Sequence, residues 1–194
     1  WTRATTAFDI LTAGGVPYGI EAGNHDGAPA GTSEFNTQFA SRKTSQATYG
    51  GRYGTSDYDN YYTLFEASGM KFIVIFIELD TTMTSPSNPV LAWANTLLST
   101  TYSDRRAIVI THDLLIGSGN TFTSQGQAIY DALKGNPNLF LMNGGHLDTA
   151  ARPASIRGWR RSFLEDSLTT SATRAVVRMN GVRAPREPFR MLVS

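Results

Sequence analysis

Hydrophobic positions along the first 150 residues fall into two rhythms that take turns. Trp1, Ala4, Phe8 and Leu11 are spaced for one face of a helix, and Gly14, Gly15 and Pro17 halt the pattern, which predicts a surface helix. A short strand is expected over Pro17–Glu21. Residues 27–60 are rich in Gly, Ser, Thr, Asn and Tyr without a sustained period and predict a long surface excursion. Two β-rich runs then meet around Ala67–Met70, and the second, Phe72 to Leu79, is apolar at nearly every position, as a strand buried on both faces requires.

The second half repeats the alternation. Asn88 and Pro89 open a helix whose stripe is Val90, Trp93, Ala94, Leu97 and Leu98. "RRAIVITHD" supplies a buried strand running into His112. Ser124 and Gln127 in capping-box spacing then open a helix with Ala128, Ile129, Ala132 and Leu133 inward, ended by Gly135 and Pro137. "NLFLMNGGHLD" runs a last strand into His146. Strand and helix alternate, so the fold class is α/β.

Composition narrows the chemistry. With 194 residues and 41% hydrophobic content the chain can bury a core of its own. It contains no cysteine, so disulfides, thiolate metal sites and cysteine nucleophiles are excluded and any metal must be held by N and O ligands. No apolar run reaches the roughly 18 residues of a membrane span. The chain opens on Trp1 rather than Met, which fits a segment cut from something longer. Its Thr/Ser/Asn/Gly-rich, lysine-poor composition suits an exported protein, although no compartment is fixed by it.

The net charge of +1 conceals an asymmetry: residues 1–150 balance at −5, whereas residues 151–194 carry nine arginines and three acids. The organisation expected is therefore a domain over 1–150 followed by an Arg-rich tail over 151–194. That tail has little strand periodicity beyond "AVVRM", as a divergent end, a basic extension or a shifted reading frame would. Solvated surface accounts for a basic cluster of this size, and nucleic acid is not the partner expected.

The three histidines provide the main functional signal. Each follows a short apolar stretch read as a strand: His25 after "PYGIEAGN", His112 after "AIVIT" and His146 after "LFLMNGG". Ligands in open α/β sheets gather at the carboxyl ends of strands, and histidine is the commonest metal ligand. Asn24, Asp26, Asp113 and Asp148 stand beside the histidines. By contrast there is no G-x-S-x-G elbow, no phosphate loop, no G-x-G-x-x-G after a strand and no H-E-x-x-H.

"GNHD" at 23–26, "THD" at 111–113 and "GGHLD" at 144–148 resemble the later blocks of the calcineurin-like metallophosphoesterases, over roughly residues 1–148. The resemblance implies a four-layer α/β/β/α sandwich, here N-terminally truncated, since the family's D-x-H and G-D-x-x-D blocks would lie upstream of residue 1. It implies two divalent transition metal ions, Mn, Fe or Zn, sharing a hydroxide that attacks phosphorus. Asn24, His112 and His146 match metal ligands, and Asp148 stands where the family has its last histidine. His25 matches the histidine that meets the phosphate and helps protonate the leaving group, with Asp26 orienting its ring. The implied activity is hydrolysis of a small phosphate ester, impaired in a chain lacking the upstream blocks. The alternative is a non-catalytic extracellular or binding module that keeps the fold.

Overall fold

A computed structural model describes residues 1–116, 121–147 and the strand 173–178, and reveals a mixed α/β architecture. The helices are α1 (Thr2–Ala13), α2 (Ser33–Thr44), α3 (Pro89–Thr96) and α4 (Ser124–Leu133). The strands are β1 (Tyr49–Arg52), β2 (Tyr61–Ala67), β3 (Met70–Ile77), β4 (Arg106–Thr111), β5 (Leu139–Leu147) and β6 (Thr173–Arg178). They form a six-stranded sheet in the order β1-β2-β3-β4-β5-β6. The centre, β3-β4-β5, is parallel, and the flanking pairs are antiparallel. Among the described residues no helix is long and apolar enough to cross a membrane.

The run predicted as a strand buried on both faces is β3, in which every residue from Phe72 to Ile77 is buried. Its alternation divides the core. Ile73, Ile75 and Ile77 pack with Ala107 and Val109 of β4 under Leu91, Ala94 and Leu98 of the α3 region and Ile129 and Leu133 of α4. Phe72, Val74 and Phe76 turn the other way and join Tyr61 and Ile108. Each such side chain contributes about 1.5–3 kcal/mol by leaving water. α3 begins as its sequence dictates, with Asn88 Oδ1 accepting the Val90 amide at 2.9 Å and Pro89 in the first turn. For α4 the cap lies one residue earlier than expected: Thr123, not Ser124, accepts the Gly126 amide.

Two expectations are corrected. The stretch Pro17–Glu21 is extended but is not a strand. Instead of a ladder, its Ile20 amide donates to the Tyr61 hydroxyl at 2.8 Å and its Ile20 carbonyl accepts from the same hydroxyl at 2.9 Å. This segment crosses the second face of the sheet so closely that a Cβ at Gly19 would run into the Phe76 ring.

Nor is 27–60 one long loop, because it contains α2 and β1. The helix was hidden because its buried stripe is only Phe35, Phe39 and Lys43, spaced four apart in a polar sequence. Phe35 and Phe39 pack with Phe8 of α1, and Lys43 lies 4.8 Å from the ring centres of both Phe35 and Tyr61.

Parallel register fixes where the site forms. Thr111 at the end of β4 pairs with Ile77 of β3 and with Gly144 of β5. Whatever follows these residues, Glu78, His112 and Gly145–His146, is thereby delivered to one edge of the sheet.

Candidate functional site

His112 and His146 meet at that edge. The Gly145 and His146 amides both donate to the His112 carbonyl at 2.9 Å, clamping the two strand ends together. Gly144 is required here, because a Cβ on it would come within 2.6 Å of Leu114 Cβ. The two rings lie 4.7 Å apart between centres, with His112 Nε2 at 2.9 Å from His146 Nδ1.

Asn24 arrives from the other side, its Oδ1 3.0 Å from the same His112 Nε2. It belongs to a single 3₁₀ turn, Asn24–Asp26, held at both ends of its backbone: the Asp26 amide donates to the Gly23 carbonyl at 2.9 Å and the Gly23 amide to Asp26 Oδ2 at 3.0 Å. Gly27, at φ +107°, closes the turn in the left-handed region that favours glycine. Gly23 is the point of closest approach, since a Cβ there would stand 2.6 Å from His112 Cε1.

These contacts bring together Asn24, His112 and His146, residues separated by up to 122 positions in the chain. Asp26 takes a turn-forming role, its carboxylate engaged by the Gly23 amide. His25 is exposed beside this group, near enough to His112 to disfavour its protonation. Asp148 lies outside the described residues, as does all of the 151–194 tail except the strand 173–178.

The donor set can be tested against a cation. His112 Nε2 carries either one proton or one lone pair, and neither state satisfies Asn24 Oδ1 and His146 Nδ1 together. A cation between the three atoms satisfies them all. Bonds of about 2.1 Å place neighbouring ligand atoms about 3.4 Å apart at tetrahedral angles and about 3.0 Å apart at right angles; the two separations from His112 Nε2, 2.9 and 3.0 Å, match the right angle of a six-coordinate ion. Burial, followed by the neighbouring His146, pushes the His112 pKa down and favours the neutral imidazole that ligates metals. The N,N,O set suits the borderline divalent ions. Among the described residues no three His, Cys, Asp or Glu side chains form a metal-holding group, so one ion here would rest on two imidazoles and an amide.

A second polar cluster lies beside the site. Lys43, only 3% exposed, donates to the Tyr58 carbonyl at 2.7 Å. Burial pulls its pKa down, while Glu21, Asp59, Asp57 and Glu78 oppose the shift. Burial drives Glu21 well above the usual carboxylate range, and its Oε2 has no hydrogen-bond partner. Glu78 is pushed up to about 7 by burial and by Asp57, Asp59 and Asp80, against the hydrogen bond it accepts from Asn60. Its members come from positions 21, 43, 57, 59, 60 and 78 with no shared spacing, so nothing in the sequence pattern marked it.

The tyrosines of the 49–62 region are packing groups. Tyr61 and Tyr62 are buried, Tyr49 stacks on Tyr61, Tyr53 meets Trp93 edge-on, and Tyr58 lies under Arg52.

No family model matches the chain, and no solved structure matches it. It is 31% identical over 155 residues to the uncharacterized protein YvnB of Bacillus subtilis (strain 168), a similarity that spans 78% of this chain. The chain covers about a tenth of that relative's length, 11%.

Proposed function

We propose that this chain carries part of the catalytic centre of a metal-dependent phosphoester hydrolase, built on a metallophosphoesterase-like sandwich. The observation that supports the reading is that His112 Nε2 lies 3.0 Å from Asn24 Oδ1 and 2.9 Å from His146 Nδ1 at the carboxyl edge of the sheet. These three would hold one divalent cation, Mn, Fe or Zn. Such an ion, when bound, polarises phosphoryl oxygens and makes a nucleophile available at neutral pH.

The protein's own contribution is positioning. Gly23 lets the backbone of the 23–26 turn approach the His112 ring, and Asp26 fixes that turn through the Gly23 amide. His25, exposed next to Asn24, is free to contact a phosphate oxygen and to give a proton to the departing alkoxide. The clamp from Gly145 and His146 to the His112 carbonyl keeps the two ring nitrogens in register.

The test is hydrolysis of p-nitrophenyl phosphate and of its bis ester with added Mn²⁺ or Zn²⁺. Metal-dependent turnover that is lost in His112→Ala, and reduced by about 100-fold or more in His25→Ala, supports the reading. Turnover indifferent to both substitutions contradicts it.

A binding module that keeps the fold without the chemistry is the second reading. It draws on one observation: among the described residues the cation would have only two imidazoles and an amide. Metal binding without hydrolysis of either ester would favour it.

A further inference from the structure

A cavity of about 300 Å³ is lined, among the described residues, by Thr81, Asp113, Ile116, Thr123, Ser124 and Gln125, of which Asp113 directly follows His112 in the chain. It lies at the same edge of the sheet, between the segment that follows β3 and the start of α4. Its volume is that of roughly ten waters, enough for a small organic alcohol.

The polar groups of the lining divide into two sets. Thr123 and Gln125 are committed to the fold. The Thr123 hydroxyl donates to the Asp113 carbonyl at 3.0 Å and caps α4, while Gln125 donates to the Glu78 carbonyl and accepts from the Asp80 amide. The hydroxyls of Thr81 and Ser124 and the carboxylate of Asp113 make no hydrogen bond to another described residue. Ile116 adds an apolar wall that is 53% exposed.

Among the described residues no lysine or arginine lines the cavity, and the one charge they bring to it is negative. A second phosphate or a carboxylate would be repelled. A carboxylate acceptor, two hydroxyls that both donate and accept, and one apolar wall complement a neutral chain of C–OH groups. Asp113 links the two places, because it lines the cavity and its charge also acts on the His112 ring.

We propose that this cavity is the subsite for the alcohol half of the ester and that the alcohol is a neutral polyol. The assignment rests on Asn24, His112 and His146 being the phosphate end of the same site.

Binding and turnover test it separately. Free sorbitol is titrated into the isotopically labelled protein while the Thr81, Ser124 and Gly126 amide resonances are followed. The expected result is saturable shifts at these amides that vanish in Ile116→Trp, where an indole fills the cavity. Absent shifts, or shifts equal in the variant, overturn the proposal. In turnover, the kcat/KM ratio of a hexitol phosphate to p-nitrophenyl phosphate should fall roughly tenfold in the Thr81→Val, Ser124→Ala double variant, about the worth of two hydrogen bonds. An unchanged ratio also overturns it. Saturable sorbitol shifts with no hydrolysis of any ester would instead overturn the phosphoesterase reading and leave a polyol-binding cavity.

Discussion

The hydroxyl of Tyr61 holds both backbone groups of Ile20, accepting from its amide at 2.8 Å and donating to its carbonyl at 2.9 Å. One buried side chain thus fastens Ile20 to the face of the sheet. The segment it holds leads directly into Gly23 and Asn24, so the position of a candidate ligand depends on it.

Tyr61→Phe keeps the ring, which stacks on Phe76 at 4.4 Å, and removes only the hydroxyl. Two half-buried backbone groups then lose their partner, at up to about 1–3 kcal/mol each where no water replaces it. Denaturant unfolding should report a loss of that order. Amide exchange should accelerate at Ile20 more than at Ile75. Uniform acceleration would mean that the segment is not held locally.

Glu78 gives the fold a pH dependence of defined sign. Its pKa is about 7 in the folded protein against an ordinary 4.5, so the native state binds the proton more tightly than the unfolded chain. Its contribution is therefore most favourable below about 4.5 and is lost as pH rises from there to about 7. Glu78→Gln retains an acceptor for Asn60 and carries no charge toward Asp57, Asp59 and Asp80. The variant should melt higher than the parent at pH 8, and the two should converge at pH 5. A variant less stable at pH 8 would refute this.

Lys43 places its charge among Glu21, Asp59, Asp57 and Glu78. Lys43→Met should destabilise by about 1–3 kcal/mol, because it leaves the Tyr58 carbonyl without its donor and removes the positive charge facing Glu21, Asp59, Asp57 and Glu78. Adding Glu21→Gln should recover a substantial part. Denaturant curves for the two single variants and the double variant give the coupling directly, and strict additivity would show that the pair does not interact.

Gly23→Ala tests the approach of the turn to the ring. A methyl group 2.6 Å from His112 Cε1 must displace either the ring or the turn. Divalent metal affinity should fall by about 10–100-fold, as when a group supporting a ligand is altered. Calorimetric titration measures it, and an unchanged affinity would remove Gly23 from the site.

The legible parts of the fold were those where sequence period and burial coincide. β3, β4 and β5, with α3 and α4, are long apolar or amphipathic runs, and they also deliver His112 and His146 to one edge. What escaped depends on contacts between distant residues. α2 buries one narrow stripe whose third member is a lysine, and Ile20 in the 16–23 segment takes both its backbone hydrogen bonds from a tyrosine some forty residues away. The Lys43 cluster likewise exists only once α2 and β3 are packed. Within "GNHD", the resemblance implies that Asp26 orients the His25 ring, whereas the contact Asp26 makes is with the Gly23 backbone.

If Asn24, His112 and His146 converge on a cation, metal binding depends on all three side chains. Calorimetric titration of Mn²⁺ and Zn²⁺ into the parent chain and into Asn24→Ala, His112→Ala and His146→Ala tests it most directly. Saturable binding by the parent and at least about tenfold weaker binding in each variant are expected. Equal binding by the parent and all three variants, or none by the parent, would contradict it.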